Sequence, residues 1–190
     1  MTTDAEVLGQ ALLDRALWVY ERLGLGLRLG VPVHEATLTQ DLLLDLRQAL
    51  PGLVVRTFSQ IEEGKNGADW EWWWQGRERW FGARVQAKRL VPVTAGLFGY
   101  GFYYPYSAGQ ADRVLQVDKL IASAAAVGLP AVYALYNGPE VDLDLFPWRC
   151  PHLPPLPGVI GVATLPAETV RYVVNMGYVE QHVVLDRARP

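Results

Sequence analysis

The sequence predicts a mixed α/β fold: a central mixed β-sheet with a β-hairpin, flanked by helices. Three observations carry this. Residues 68–88 contain alternating tryptophans and acids that a hairpin sorts cleanly onto two faces. From residue 34 the apolar patterning reads helix, strand, strand, strand, helix, strand. Apolar types make up 51% of the 190 residues and charged types 19%, enough to bury a core and too little charge for a disordered chain. That length predicts one domain: an N-terminal helix and loop at 1–33, a core at 34–137, and a Pro-rich wrap with C-terminal elements at 138–190.

Taken in order, Leu8, Leu12, Ala16, Val19 and Leu23 form one stripe on a helix from Asp4 to Leu23, stopped by Gly24 and Gly26. A loop over Gly24–Val33 follows. Leu38, Leu42 and Leu46 predict a second helix from His34 or Thr37 to Ala49, with Thr37 and Gln40 matching a capping box. Leu53–Ser59 reads as a strand and Ile61–Gly67 as a loop. After the hairpin, Val91–Gly109 has no clean period and reads as a long aromatic loop. Gln110–Val127 is a helix with Val114, Val117, Leu120, Ile121 and Ala124 inward, and Ala131–Tyr136 is a buried strand. Residues 137–158 are rich in proline and read as irregular. Val159–Thr164 is a short strand and Pro166–Asn175 a short helix.

In the hairpin, strands at Ala68–Trp74 and Glu78–Lys88 flank a turn. One register sets Trp70 against Val85, Trp72 against Ala83 and Trp74 against Phe81, a wholly apolar face. A one-residue slip would set tryptophans against charges. The other face then pairs Asp69 with Gln86 and Glu71 with Arg84. Lys88, two residues past Gln86, falls on that same face. A carboxylate, an amide oxygen and a lysine so grouped are what metal-assisted phosphodiester hydrolysis calls for. Mg²⁺ takes hard oxygen ligands, and a nearby lysine steadies developing charge.

Asp69 followed by Gln86-Ala87-Lys88 resembles the D…(E/Q)xK signature of the PD-(D/E)xK nuclease superfamily. The Gln-x-Lys form, followed by Arg89, is similar to the Mrr-like restriction endonuclease branch. The stretch Gly67-Ala68-Asp69-Trp70-Glu71-Trp72-Trp73 with Val85 to Leu90 looks like a bacterial family of unknown function within that superfamily. The resemblance covers residues 34–137 and implies a restriction-endonuclease-like core. It also implies a Mg²⁺- or Mn²⁺-dependent nuclease. Asp69 would be the central metal ligand, with Gln86 and Glu35 beside it, and Lys88 would be the catalytic lysine; the Ala87 carbonyl is a candidate further ligand from its place between the two motif side chains. Gln116 matches a helix glutamine seen near such sites. The chain departs from the pattern where Ala68 replaces the proline before the aspartate. Gln86 also replaces the commoner glutamate, a loss of charge that Glu35, Glu63 or Glu71 would have to offset.

Composition bounds the partners. Net charge is −3, from 17 Lys and Arg against 20 Asp and Glu, so phosphate contacts need a local set: Arg84, Arg89 and Arg113, with Arg77 and Arg79. Trp73 and Trp80 share the polar face and are the candidates for stacking on bases, whereas Trp70, Trp72 and Trp74 read as core. The substrate is nucleic acid, with DNA placed ahead of RNA. Aromatics at Tyr100–Tyr106 are the expected contact in a homodimer. Cys150 is the one cysteine, which excludes an internal disulfide and suits the cytoplasm, and Cys150 and His152 read as structural. The acidic N-terminus predicts no signal peptide. The uncharged run Leu120 to Pro139, broken at Gly128-Leu129-Pro130, predicts no membrane span.

Simpler readings stand beside these. Glu71 suits a cross-strand partner for Arg84, and Glu35 suits the positive end of a helix dipole. A catalytically inactive nuclease-like fold, used as a nucleic-acid- or protein-binding module, is the alternative function.

Overall fold

The computed structural model describes residues 4–76, 78–94, 97–102, 114–139, 161–175 and 185–186. Five strands form one mixed sheet in the order β1-β2-β3-β6-β7. These are β1 (Leu53–Thr57), β2 (Trp70–Gln75), β3 (Trp80–Arg89), β6 (Ala131–Tyr136) and β7 (Val162–Pro166). Pairing is antiparallel except between β3 and β6, which run parallel. A parallel pair needs a crossover, and α4 (Gln116–Ala125) provides it.

The hairpin register is the one the tryptophans demand: Trp70 opposite Val85, Trp72 opposite Ala83, Trp74 opposite Phe81. Trp70 and Trp74 are buried, and Trp72 packs against the same cluster. That cluster joins the sheet to α1 (Asp4–Leu29) and α2 (Glu35–Ala49) through Val19, Leu23, Leu38, Leu42 and Leu46. The opposite face carries a second cluster: Ala131, Tyr133 and Leu135 of β6 against Val117, Leu120 and Ala124 of α4 and Val170 of α5 (Ala167–Asn175). Helices therefore cover both faces. Truncating Trp70 to Ala would cost about 3–5 kcal/mol, the range for an emptied aromatic core site.

Several elements differ from the sequence reading. α1 does not stop at Gly24 but continues to Leu29, and Gly30, at φ +66°, ends it. The glycines serve close approach instead: a Cβ on Gly26 would stand 2.5 Å from Val33 Cγ2, and one on Gly24 3.3 Å from Pro139 Cγ. Leu12, placed in the inward stripe, is exposed. The Thr37–Gln40 capping box does not form. The helix begins earlier, at Glu35 after His34, so Thr37 already lies within it. The expected loop at Ile61–Gly67 is instead α3 (Gln60–Asn66), whose capping box is Ser59 with Glu62. Part of the expected aromatic loop is a small sheet of β4 (Val91–Thr94), β5 (Leu97–Gly99) and β8 (Leu185–Asp186). Val114, expected inward, is half-exposed. The strand expected at Val159–Thr164 is observed as Val162–Pro166, where it forms the sheet's edge beside β6. Gly161 before it lies against the backbone of Ala16, with no room for a Cβ.

Candidate active site

Asp69 sits one residue before β2, with its backbone held from both sides. Its N–H donates to Val85 O at 2.9 Å, and its carbonyl accepts from Phe58 N at 2.8 Å. This central position fixes where the carboxylate points. Asp69 Oδ2 accepts from the Ala87 N–H at 2.6 Å and from Gln86 Nε2 at 2.7 Å. Gln86 is fully buried, and its Nε2 also reaches the Ala87 carbonyl at 3.1 Å. Its Oε1 accepts from Gln116 Nε2 at 2.9 Å, and that same nitrogen donates to Glu63 Oε1 at 3.0 Å. Glu35 opens α2 and accepts from the Arg89 N–H at 2.6 Å, which ties that helix end to the end of β3.

Charge is concentrated here. Burial pushes the Asp69 carboxyl up to about 7, and the nearby carboxylates of Glu63 and Glu35 push the same way. The Ala87 N–H and the buried Lys88 ammonium oppose the rise. Glu35 is raised by burial first, against the pull of Lys88 and of the Arg89 N–H. A carboxyl raised by burial and by the charge of neighbouring carboxylates is an environment that a cation relieves.

Asp69, Gln86, Ala87, Lys88, Glu35 and Gln116 thus share one neighbourhood. Glu71 does not join them. Its Oε2 takes Arg84 Nη2 at 2.5 Å and Nε at 3.1 Å, and its Oε1 lies 3.8 Å from Arg56. Arg84 is buried, also donates to Ser123 O at 2.8 Å, and lies over the Phe58 ring. It is therefore spent on the interior rather than offered to phosphate. Trp73 is half-buried against the second core cluster, four residues along β2 from Asp69, or about 13 Å at strand rise. It lines a cavity of about 430 Å³ with Trp72, Trp80 and Leu129 at the far end of the hairpin. Arg89 remains beside the site, while Arg113 and Arg77 lie outside the described residues. Tyr100 and Phe102, expected among exposed aromatics, are buried in the second cluster; residues 103–113, Cys150 and His152 lie outside the described residues.

Glu63 is a site residue that the sequence reading named only as one of three substitutes. The signal was available: Ser59 and Glu62 bracket a capping box, which makes a helix of the segment and turns Glu63 toward Gln116.

The donors fit a hard divalent ion in kind, since the carboxylates, an amide and a backbone carbonyl all offer oxygen. Among the described residues, no three His, Cys, Asp or Glu side chains stand together as a metal-holding group. The Gln86 amide presents its NH₂ to Asp69 and would have to turn to present oxygen. Among the described residues no helix is long and apolar enough to cross a membrane. No curated protein matches the chain. Residues 8–190 match DUF6615, a family of unknown function, and the chain belongs to that family.

Proposed function

We propose that the chain is a metal-dependent nuclease that hydrolyses phosphodiester bonds of DNA, in defence, restriction or repair, on a restriction-endonuclease-like core in the cytoplasm. The observation that carries this reading is the hydrogen-bonded junction of Asp69 and Gln86 at the end of β3, with Lys88 and Glu35 exerting their charge on Asp69. Asp69, Glu35, the Gln86 amide oxygen and the Ala87 carbonyl would hold Mg²⁺ or Mn²⁺. Such an ion, when bound, lowers the pKa of water and takes up negative charge on phosphoryl oxygens.

The chain's own residues do the rest. Asp69 would serve as an anionic ligand, its raised carboxyl releasing any proton to solvent as the ion binds. Lys88 is placed to orient the attacking water and to stabilise the charge that gathers on phosphorus-bound oxygens as the P–O bond breaks. Arg89, beside Glu35, is available to a phosphate of the incoming strand. Incubation with plasmid, single-stranded DNA and RNA in Mg²⁺ and Mn²⁺, with Lys88→Ala alongside, tests the reading. Cleavage of DNA that Lys88→Ala lacks supports it. Preferential cleavage of RNA would reassign the substrate.

A second reading, an inactive nuclease-like binding module, is favoured by one feature: the Gln86 NH₂ already satisfies the Asp69 carboxylate without an ion. Calorimetry with Mn²⁺ in the presence and absence of DNA separates the two, since a module of this kind binds nucleic acid without metal.

A further inference from the structure

Gln86 leaves the site one negative charge short of the commoner acidic arrangement, and Glu35, Glu63 and Glu71 are the glutamates that could replace it. The structure separates them. Glu71 is committed to Arg84 and Arg56. Glu35 is held by the Arg89 N–H. Glu63 meets a neutral donor, Gln116 Nε2, and through that nitrogen it is joined to Gln86 and so to Asp69.

α3, which carries Glu63, is fastened to α4. Lys119 Nζ donates to Gly64 O at 2.8 Å, and Ser123 Oγ donates to Asn66 O at 2.7 Å. Gly67 closes α3 at φ +72° so tightly that a Cβ there would lie 2.4 Å from Gln116 O. The Glu63 backbone is therefore fixed relative to Gln116. Two polar atoms of this region are buried and have no hydrogen-bond partner: Oε1 of Gln116, the residue that Glu63 meets, and the hydroxyl of Tyr133. Tyr133 is fully buried and stands opposite Gln86 in the β3–β6 register. Orphaned polar atoms in such a place call for an explanation, and an ion or water is the usual one. The charge of Glu63 also raises the carboxyls of both Asp69 and Glu35.

We infer that Glu63 is a further acidic ligand of the divalent cation, added to Asp69 and Glu35, and that Gln116 is the positioning residue that releases it when the ion binds. This rests on the nuclease reading above. The hydrogen bonds give the sequence of events. Turning the Gln86 amide brings its Oε1 toward Asp69 and its Nε2 toward Gln116. Gln116 must then turn as well, and its orphaned Oε1 becomes the acceptor for Gln86 Nε2. That turn withdraws the donor from Glu63 and leaves its carboxylate available to the ion. The acid absent from β3 is thereby supplied from α3.

The test is charge relocation in the full chain, read by Mn²⁺ calorimetry without nucleic acid and with a DNA duplex, and by melting in EDTA. Glu63→Gln should weaken Mn²⁺ binding by about tenfold or more, the scale for disturbing a metal site's supporting groups, and leave melting in EDTA unchanged. Adding Gln86→Glu to Glu63→Gln should recover affinity to within about threefold of wild type, since the lost charge returns on the neighbouring strand. Glu63→Gln binding Mn²⁺ as wild type does, while Asp69→Ala does not bind, overturns the inference and leaves the nuclease reading intact. Weakening that Gln86→Glu fails to restore overturns it too, because Glu63 is then only a prop for Gln116. Wild type that binds no Mn²⁺ under either condition overturns the nuclease reading, and the inference with it. Should Glu63→Gln melt early, both variants are titrated below their melting temperatures: affinity regained in the double variant without regained melting supports the inference, and affinity not regained overturns it.

Discussion

Two polar rows lie side by side on one face of the β2–β3 hairpin, and they behave as opposites. In one, Glu71 faces Arg84, and the guanidinium closes on the carboxylate from the side while a backbone carbonyl takes another of its donors. In the other, Asp69 meets Gln86, and of the charges acting on it two are carboxylates and one is the Lys88 ammonium. The first row is charge-matched and finished. The second holds its carboxyl up to about 7, by burial first and then by the charges of Glu63 and Glu35 against that of Lys88. Structural ion pairs are built to be complete, whereas sites that handle cations and protons are left unbalanced. The rows are one strand repeat apart, so the contrast is chemical rather than topological.

The largest expected effect falls on the unbalanced row. On the nuclease reading Asp69→Ala should abolish both Mn²⁺ binding and cleavage, because it removes the carboxylate on which the Gln86 amide and the Ala87 N–H converge. Calorimetry and plasmid nicking check this. Undiminished metal binding would show that the two rows do not differ in kind. The balanced row should answer through stability alone. Arg84→Met leaves Glu71 buried without its main partner and should cost about 3–5 kcal/mol of folding free energy, read by denaturant unfolding. Mn²⁺ affinity of the variant that remains folded should match wild type. Lys88→Ala comes next: on the proposed role of Lys88, which is to steady developing charge and not to hold the ion, the rate should fall by about 10²–10³ while metal binding is spared.

The sequence distinguished the rows less well than it placed them. The register was legible because Trp70, Trp72 and Trp74 admit one partnering that avoids charge against indole. Both rows then looked alike, an acid opposite a polar residue, and only burial and third partners such as Ser123 O and Gln116 tell them apart. Those partners come from α4, distant in sequence. α3 escaped because none of its residues is buried, so it carries no apolar period; its signal lay wholly in the Ser59 and Glu62 cap. Gly24 and Gly26 do not break α1: they lie within it, where neighbouring backbone and side chains leave little or no room for a Cβ. β4 and β5 are too short for alternation to show, and Pro92 is tolerated because β4 pairs on one side only.

The smallest effect is also the most diagnostic of the imbalance, and it is a pH dependence. Asp69 titrates near 3.8 in an unfolded chain and is raised to about 7 in the folded one. Between those values the native state holds a proton that the unfolded state does not. Stability from this group is therefore full below about pH 4 and is lost as pH rises through 7. Glu35, raised as well, adds in the same direction. A divalent ion reverses the sign. It binds the ionised carboxylate and competes with the proton, so affinity should fall about tenfold per pH unit below 7 and level off above it. Melting curves in EDTA and in Mn²⁺ between pH 5 and 8 should thus diverge: the metal-free protein loses stability with pH while the metal-bound protein gains. Asp69→Asn carries no titrating group there and should flatten the main part of both trends. Parallel slopes in EDTA and Mn²⁺ for the wild type would mean that the proton on Asp69 and the ion do not share a site, and the unbalanced row would then be no more than a buried acid with an amide neighbour.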